Sequence, residues 1–301
     1  MSATTAPARR LPVPDEPIPA ISLPALGLLL GGLALWWGST FAYIEGVWPW
    51  PVSVPLNAIA CYMLFTVSHD AAHHSLSRTQ AANTWLGRIA TVFFAPHAGF
   101  RTWRFIHMQH HRFTNHDDGN DPDNYTNVGP AWQRPLRWLS IDLYYMVFYL
   151  PRLGSRPRPE KIELACTWAI VFGACAAAIA TGHLWGLLLI YFLPVRLSII
   201  FLAWAFDYLP HHGLHHTPEE DRLKTTRNRV GRERLLSPVL LYQNYHLVHH
   251  LHPLVPFHRY VKVWFAGEDR YLEGDPALST VAGRPLSVGE YRHQRGLAPE
   301  G

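Results

Sequence analysis

Four long apolar segments stand out along the chain, and polar stretches separate them. The first three carry no charged residue, and the fourth is interrupted only by Pro194, Arg196 and Asp207. A helix needs about 20 apolar residues to cross the hydrocarbon core of a bilayer, so each segment is long enough to span a membrane. The pattern therefore predicts four transmembrane helices, at 23–44, 51–68, 164–182 and 184–209.

Short connections group these helices into two hairpins, joined by residues 45–50 and by a residue or two around His183. Lys and Arg number 2 in the first 20 residues, 11 between residues 69 and 163, and 12 after residue 209, but the short connections have none. Because positive charge favours the cytoplasmic side, this distribution places both termini and both long polar stretches there. The predicted fold is an all-α integral membrane protein: four transmembrane helices in two hairpins, with a cytoplasmic, histidine-rich cap.

Two partly apolar segments, 85–100 and 138–150, lie in the first long polar stretch. If exactly one of them crossed the membrane, histidine-rich parts of the chain would fall on opposite sides. We therefore interpret both as interfacial or re-entrant helices.

The two ends of the chain are polar. Residues 1–20 are rich in proline and predict a disordered leader, whereas residues 266–301 predict a peripheral tail, which leaves 21–265 as the membrane domain. The leader lacks the short apolar core of a signal peptide, which favours a bacterial inner membrane. The net charge of +4 follows from the cytoplasmic excess of Lys and Arg and needs no nucleic-acid partner.

Histidine is the unusual component, because 15 of the 19 fall in the windows 69–74, 107–116, 211–216 and 246–252. Such clustering is typical of metal binding. His69 and His73 share a helix face, and the pattern H-x-x-H-H occurs at His107 and again at His246. Eight or nine convergent histidines are too many for one zinc ion, which takes three or four ligands in total. Imidazole also suits iron, so the residues favour a histidine-rich pair of iron ions.

These windows resemble the three histidine boxes of the membrane fatty acid desaturase superfamily, over roughly residues 50–265. The segments FDYLPHH (206–212), QNYHLVHHLHPLVPFHRY (243–260) and NDPDN (120–124) resemble the carotenoid β-ring hydroxylase branch in particular. The resemblance implies four spanning helices under a cytoplasmic cap, two non-haem irons, molecular oxygen and an external electron donor. Its ligands carry over to His69, His73, His107, His110, His111, His246, His249 and His250, with His211 as an additional ligand.

The predicted activity is O2-dependent oxidation of an unactivated C–H bond in a hydrophobic lipid that enters from the membrane, above all hydroxylation of a β-carotene ring. A fatty-acyl desaturase or hydroxylase is the close alternative. A membrane zinc hydrolase and a metal transporter are more distant ones, and the sequence leaves hydroxylation and desaturation unresolved. His212, Gly213, His215 and His216 follow Leu-Pro-His where the hydroxylases usually continue differently, which bears on the substrate.

Electrons must come from a separate carrier such as a ferredoxin, because the chain has no glycine-rich dinucleotide motif and its three cysteines cannot supply four thiolates to an iron–sulfur cluster. Arg222, Lys224, Arg227 and Arg229 are candidate docking residues for an acidic carrier, or simply part of the positive-inside bias.

Several polar residues are expected to support the metal site. Asp70, Asp121 and Asp123 can orient ligand imidazoles, or serve turns and caps, and Asp207 and Asn244 can support His211 and the last box. Arg196 lies mid-span, where it pairs with a buried acid, contacts a polar group of the substrate or has a structural role. The other histidines are expected to lie at the surface or behind the ligands (His74, His116, His212, His215, His216 and His252) or to have no role (His97, His183, His258 and His293).

Overall fold

The structure is a computed structural model and describes residues 11–298. Its longer helices are α1 (Leu23–Ile44), α2 (Trp50–Ala72), α3 (Gln80–Thr91), α4 (Phe100–Phe113), α5 (Arg134–Tyr149), α6 (Arg158–Ala180) and α7 (Leu184–His211). The shorter ones are α8 (Glu233–Val239), α9 (His246–Leu251), α10 (Tyr260–Ala266), α11 (Glu268–Leu272) and α12 (Val288–Arg295). Four 3₁₀ turns lie at Asp123–Thr126, Ala131–Gln133, Leu150–Ser155 and Phe257–Arg259.

Among the described residues, α1, α2, α6 and α7 are long and apolar enough to cross a membrane, as the apolar pattern predicts. α2 continues past the predicted end at residue 68, because its last turn is buried and carries His69 inward. α3 and α5, of 12 and 16 residues, cover parts of the two segments interpreted as interfacial.

The first hairpin packs closely along its length. An added Cβ at Gly32 of α1 would lie 3.0 Å from Leu64 Cγ of α2, so the small residue allows the two helices to approach. Ser39 and Ser53 exchange hydrogen bonds with each other's carbonyls. These contacts hold α2, and therefore His69 at its end, in a defined orientation.

α7 contains two π-helical stretches, Leu188–Phe192 and Ala203–Tyr208. The first frees the Ile190 carbonyl, which accepts a hydrogen bond of 2.9 Å from Asn57 Nδ2 of α2. The same amide group lies 3.1 Å from Thr40 Oγ1 of α1, so one side chain joins three of the long apolar helices. The second stretch immediately precedes His211.

The cap departs from an all-α description. Three short strands, β1 (Asn228–Arg229), β2 (Leu278–Ser279) and β3 (Pro285–Leu286), form a sheet in the order β1-β2-β3. β1 pairs with β2 in parallel and β2 with β3 antiparallel. Strands of two residues are too short to show an alternating pattern, so the sequence does not indicate them.

The expected peripheral tail is corrected for its described part, residues 266–298. Tyr271 and Tyr291 are fully buried around Trp264, and β2 lies in the tail yet pairs with β1. The boundary after residue 265 therefore runs through one packed unit. Tail composition is polar overall, but most of its large aromatic and aliphatic residues are buried in the cap.

The expected disordered leader is likewise corrected for residues 11–20, whereas residues 1–10 lie outside the described part. Glu16 pairs with Arg259 at 2.8 Å and with Lys262 at 2.6 Å. Ser77 donates a hydrogen bond of 2.6 Å to the Ala20 carbonyl. These contacts with the cap and with the end of the first hairpin order a segment that has little apolar surface of its own.

Candidate metal centre

The first group of histidines joins three helices. Its members come from the end of α2, from α4 and from α9, and their ligand atoms lie within 4.8 Å of one another: His69, His73, His107, His111 and His249. The Nε2 atoms of His73 and His107 are 2.8 Å apart, and Nε2 of His249 lies 2.9 Å from that of His111 and 3.1 Å from that of His69. Five imidazole nitrogens therefore face one point.

The second group lies beside the first and contains His110, His211, His246 and His250, again within 4.8 Å. Nε2 of His246 and Nε2 of His250 are 3.1 Å apart. The rings of His111 and His250 stack at 4.2 Å between centroids, which places the two groups in contact. Together the groups contain all nine histidines predicted as ligands.

Each H-x-x-H-H motif serves both groups, and helical geometry explains how. Residues four apart lie almost above one another, whereas the remaining member is rotated about 60° from the first of them and about 100° from the second, to the side that faces the other group. In α4, His107 and His111 enter the first group and His110 enters the second. In α9 the division is reversed, because His246 and His250 enter the second group and His249 enters the first.

Burial keeps most of these rings neutral. The pKa values of His73, His107, His111, His246, His249 and His250 are well below the usual range, first because burial disfavours the charged form and then because neighbouring histidines repel a second charge. Neutral imidazole is the form that ligates a metal. Among the described residues, both ring nitrogens of His211 are buried without a hydrogen-bond partner, as expected for a ligand awaiting an ion.

His110 differs because two carboxylates face it. Its Nδ1 lies 2.9 Å from Asp121 Oδ1 and 3.5 Å from Asp123 Oδ2. Burial alone would lower the pKa of His110, but Asp123 and Asp121 outweigh it and raise the pKa to about 9. Asp121 also accepts hydrogen bonds from the backbone N–H groups of Asn115 and Asp123, and Tyr145 donates one of 2.7 Å to Asp123. Asp121 and Asp123 thus orient His110 and shape the local turn at once.

The other expected supporting residues behave differently. Asp70 accepts a hydrogen bond of 3.2 Å from the Phe257 N–H, but its other oxygen is 3.8 Å from His69 Nδ1, beyond hydrogen-bond range. Asn244 donates to the Arg229 carbonyl and so holds β1 in place, which corrects its expected contact with a histidine. Asp207 lines the pocket described below.

Two residues that support ligand histidines were not predicted from the sequence. Gln243 Oε1 lies 2.8 Å from His246 Nδ1, and the Tyr260 hydroxyl lies 2.9 Å from His249 Nδ1. An amide oxygen can only accept, so Nδ1–H of His246 donates and Nε2 keeps its lone pair for a metal. Gln243 lies three residues before His246, in the turn that precedes α9. Nothing in the sequence links Tyr260 to His249.

A mostly apolar pocket opens beside both histidine groups. Its walls are formed by Phe65, Phe94, Trp103, Ile106, Ile141, Ile199, Leu202, Ala203 and Phe206. His69, His107, His110 and His246 reach into it, and its remaining polar lining comes from His97, Asp123, Asp142, Tyr145 and Asp207. A hydrophobic substrate in this pocket would lie against both groups and away from bulk water.

Arg196 pairs with a buried acid, one of the roles that the sequence analysis left open. Its guanidinium donates to both oxygens of Asp142 on α5, at 2.6 and 2.8 Å, and to the Leu139 carbonyl at 2.5 Å. Asp142 lines the pocket, whereas Arg196 does not and contacts Asp142 from outside the pocket lining. A direct contact between Arg196 and a substrate is therefore not supported.

The remaining histidines lie outside both groups. His74 contacts Arg104, His116 contacts Glu219, and His252 contacts the Tyr271 hydroxyl. The candidate docking residues are mostly engaged within the cap: Lys224 pairs with Asp275, Arg227 donates to the His212 carbonyl and Arg229 donates to the Val281 carbonyl. Arg222 is exposed.

Replacing Asp121 by asparagine is expected to weaken metal binding about 10- to 100-fold. The change removes a charge from beside His110 and replaces one of two carboxylate oxygens, each of which accepts from a backbone N–H group, by an amide NH2 that cannot accept. Metal affinity measured by competition with a chelator checks this, with Asp118→Asn as a matched control in the same loop, where the carboxylate is exposed and faces Asn120. Equal weakening by both variants would contradict the assigned role of Asp121.

Known proteins similar in sequence to this chain include lipid desaturases and a β-carotene ketolase. The chain is 27% identical over 241 residues to an sn-1 oleoyl-lipid 12-desaturase of Synechocystis, covering 69% of this chain and 66% of that one. It is 28% identical over 245 residues to a β-carotene ketolase of Paracoccus, covering 77% and 89%. A second Synechocystis relative, an sn-1 acyl-lipid omega-3 desaturase (ferredoxin), is 26% identical over 214 residues, covering 64% and 56%.

The chain spans between about half and two thirds of the length of the curated oleoyl-lipid desaturases it matches. The resemblance seen in the histidine boxes is confirmed at the level of the family, whereas the closer likeness to carotenoid ring hydroxylases stays a prediction. The fatty acid desaturase family model matches residues 45–279, which contain all nine clustered histidines, and the chain therefore belongs to the fatty acid desaturase family.

Proposed function

We propose that each histidine group holds one iron ion and that the protein uses O2 to oxidise an unactivated C–H bond of a hydrophobic lipid. The observation that carries this proposal is the convergence of nine histidines in two touching groups beside one apolar pocket. The donor set fits iron, because it consists of imidazole nitrogens that burial mostly keeps neutral. Among the described residues, both ring nitrogens of His211 lack a hydrogen-bond partner and are available to a metal. One zinc ion would use fewer than half of these donors, which disfavours a zinc hydrolase.

Bound iron would supply the oxidising chemistry that removes hydrogen from a carbon with no acidic proton. The chain's own residues do the rest. Asp121, Gln243 and Tyr260 orient ligand rings, so that their Nε2 atoms face the metal positions. The aromatic and aliphatic walls of the pocket exclude water and hold the substrate against the two groups.

For the substrate we propose a carotenoid ring, with hydroxylation of β-carotene as the specific reaction. Coverage of relatives supports this choice: the match extends over 89% of the β-carotene ketolase but only 53–66% of the first desaturases. A fatty-acyl desaturase or hydroxylase is the second candidate, because the oleoyl-lipid desaturases are equally similar in the part they share with this chain.

We further propose that the cap and both termini face the cytoplasm of a bacterial inner membrane, and that an external carrier such as a ferredoxin delivers electrons. The distribution of Lys and Arg supports the orientation. Similarity to the sn-1 acyl-lipid omega-3 desaturase (ferredoxin) of Synechocystis supports this kind of donor.

The test is carotenoid and lipid chromatography with mass detection in cells that make β-carotene and a bacterial ferredoxin, with and without this chain. We expect new polar carotenoids that carry one or two added oxygens, on one or both rings. Ketone products, which gain an oxygen and lose two hydrogens per step, would keep the substrate and correct the reaction. Unchanged carotenoids with altered acyl chains would move the function to the second candidate, and no change in either, with iron bound, would overturn the proposal.

A further inference from the structure

The pocket contains a polar group away from the histidine clusters. His97 lies in the connection between α3 and α4 and lines the pocket together with Asp142 of α5. Arg196 holds both oxygens of Asp142 from behind and so fixes that carboxylate. The arrangement places one imidazole and one charge-balanced carboxylate in the pocket lining, outside both histidine groups.

His97 has hydrogen-bonding capacity that the protein does not use. Among the described residues, neither of its ring nitrogens has a partner, although both atoms are buried. The nearest carboxylate oxygen, of Asp142, is 3.8 Å from Nδ1, too far for a hydrogen bond. A buried polar group without a partner is destabilising, so this arrangement is expected to bind a partner that enters the pocket.

We propose that His97, with Asp142 and Arg196 behind it, is a specificity site that hydrogen-bonds an oxygen atom on the substrate ring. This inference rests on the proposed function and deepens it: the preferred substrate is a carotenoid whose ring already bears a hydroxyl or carbonyl group. Unsubstituted β-carotene is then a poorer substrate. An earlier ring oxygenation of the same class supplies this preferred substrate, whereas β-carotene itself is oxidised more slowly.

The chemistry of the site matches such an oxygen. Burial, partly offset by Asp142, lowers the pKa of His97 to about 4, so the ring is neutral near pH 7 and offers one donor and one acceptor. A hydroxyl group can use both, and a carbonyl can use the donor. A hydrocarbon ring uses neither and leaves both nitrogens unpaired in the complex, which is how a polar site discriminates against an apolar analogue.

The test is binding to iron-loaded protein in detergent micelles, read from the quenching of tryptophan fluorescence by the bound polyene. β-Carotene is compared with a carotenoid that carries a hydroxyl group on each ring. We expect wild type to bind the hydroxylated probe about 10-fold more tightly, which corresponds to one hydrogen bond. His97→Phe is expected to abolish this preference, and His97→Gln to keep part of it.

His183→Phe is the matched control, because this histidine is exposed in the connection between α6 and α7, and it should keep the full preference. Equal and tight binding of the two probes by wild type, or an unchanged preference in His97→Phe, would overturn the specificity site alone. Failure of wild type to bind either carotenoid would overturn the proposed substrate class and this inference with it.

Discussion

Replacing His107 with alanine is expected to abolish the oxidised product and to remove at least one of the two iron ions that we propose for the histidine groups. His107 contributes to the first group, where its Nε2 lies 2.8 Å from that of His73, and its ring stacks on Trp103 in the wall of the pocket. Its loss removes a nitrogen donor and opens the group towards the pocket. Metal content of the purified protein and product formation in carotenoid-producing cells measure the two effects.

His183→Ala serves as the control, because it removes a histidine of the same chain outside both groups. It is expected to retain wild-type iron content and wild-type product. Retention of full iron and full turnover by His107→Ala would contradict the assignment of the first group as a metal site. Loss of product with both irons retained would instead limit the role of His107 to the pocket.

Replacing Arg196 with leucine is expected to destabilise the protein by about 3 kcal/mol, because it leaves Asp142 buried without its partner. The Asp142 side chain is only 5% exposed, and the Arg196 guanidinium binds both of its oxygens. An unpaired carboxylate inside a membrane protein is costly. For a chain of this size, that loss corresponds to a fall in Tm of about 6–12 °C, measured by thermal unfolding in detergent.

The double variant Arg196→Leu/Asp142→Leu distinguishes the pair from either residue alone. Because it removes both charges, it is expected to recover most of the stability lost in Arg196→Leu. A double variant as unstable as the single one would show that packing of the arginine side chain, and not its pairing with Asp142, accounts for the loss. The double variant is also expected to alter the discrimination by His97, because it removes the carboxylate that lies 3.8 Å from Nδ1 of that ring.

Much of this site follows from local patterns. Length and apolarity identify the four helices that can span a membrane, because hydrocarbon thickness sets the number of residues that a helix needs. Helical periodicity identifies the ligand spacing at His69 and in the two H-x-x-H-H motifs, because residues three and four apart share a face. These rules act within about ten residues, so they can be applied to a sequence alone.

Other features depend on contacts between distant parts of the chain. Tyr260 supports His249, Asp142 pairs with Arg196 and His97 turns into the pocket, and none of these relationships has a characteristic spacing. The tail shows the same limit, because pairing of β2 with β1 brings together residues about 50 positions apart. Its polar composition predicted a peripheral tail, whereas in the fold the tail forms part of the cap.

By itself, the sequence determined that this protein has four long apolar helices and histidines clustered at helical spacing, because hydropathy and helical spacing are local properties. Only the tertiary structure decided how each histidine motif divides between two groups, which side chains orient the rings, and that a histidine with no expected role faces the pocket. The physical reason is that metal-site geometry and the satisfaction of buried polar groups are properties of packed neighbours, and packing joins residues that the sequence keeps far apart.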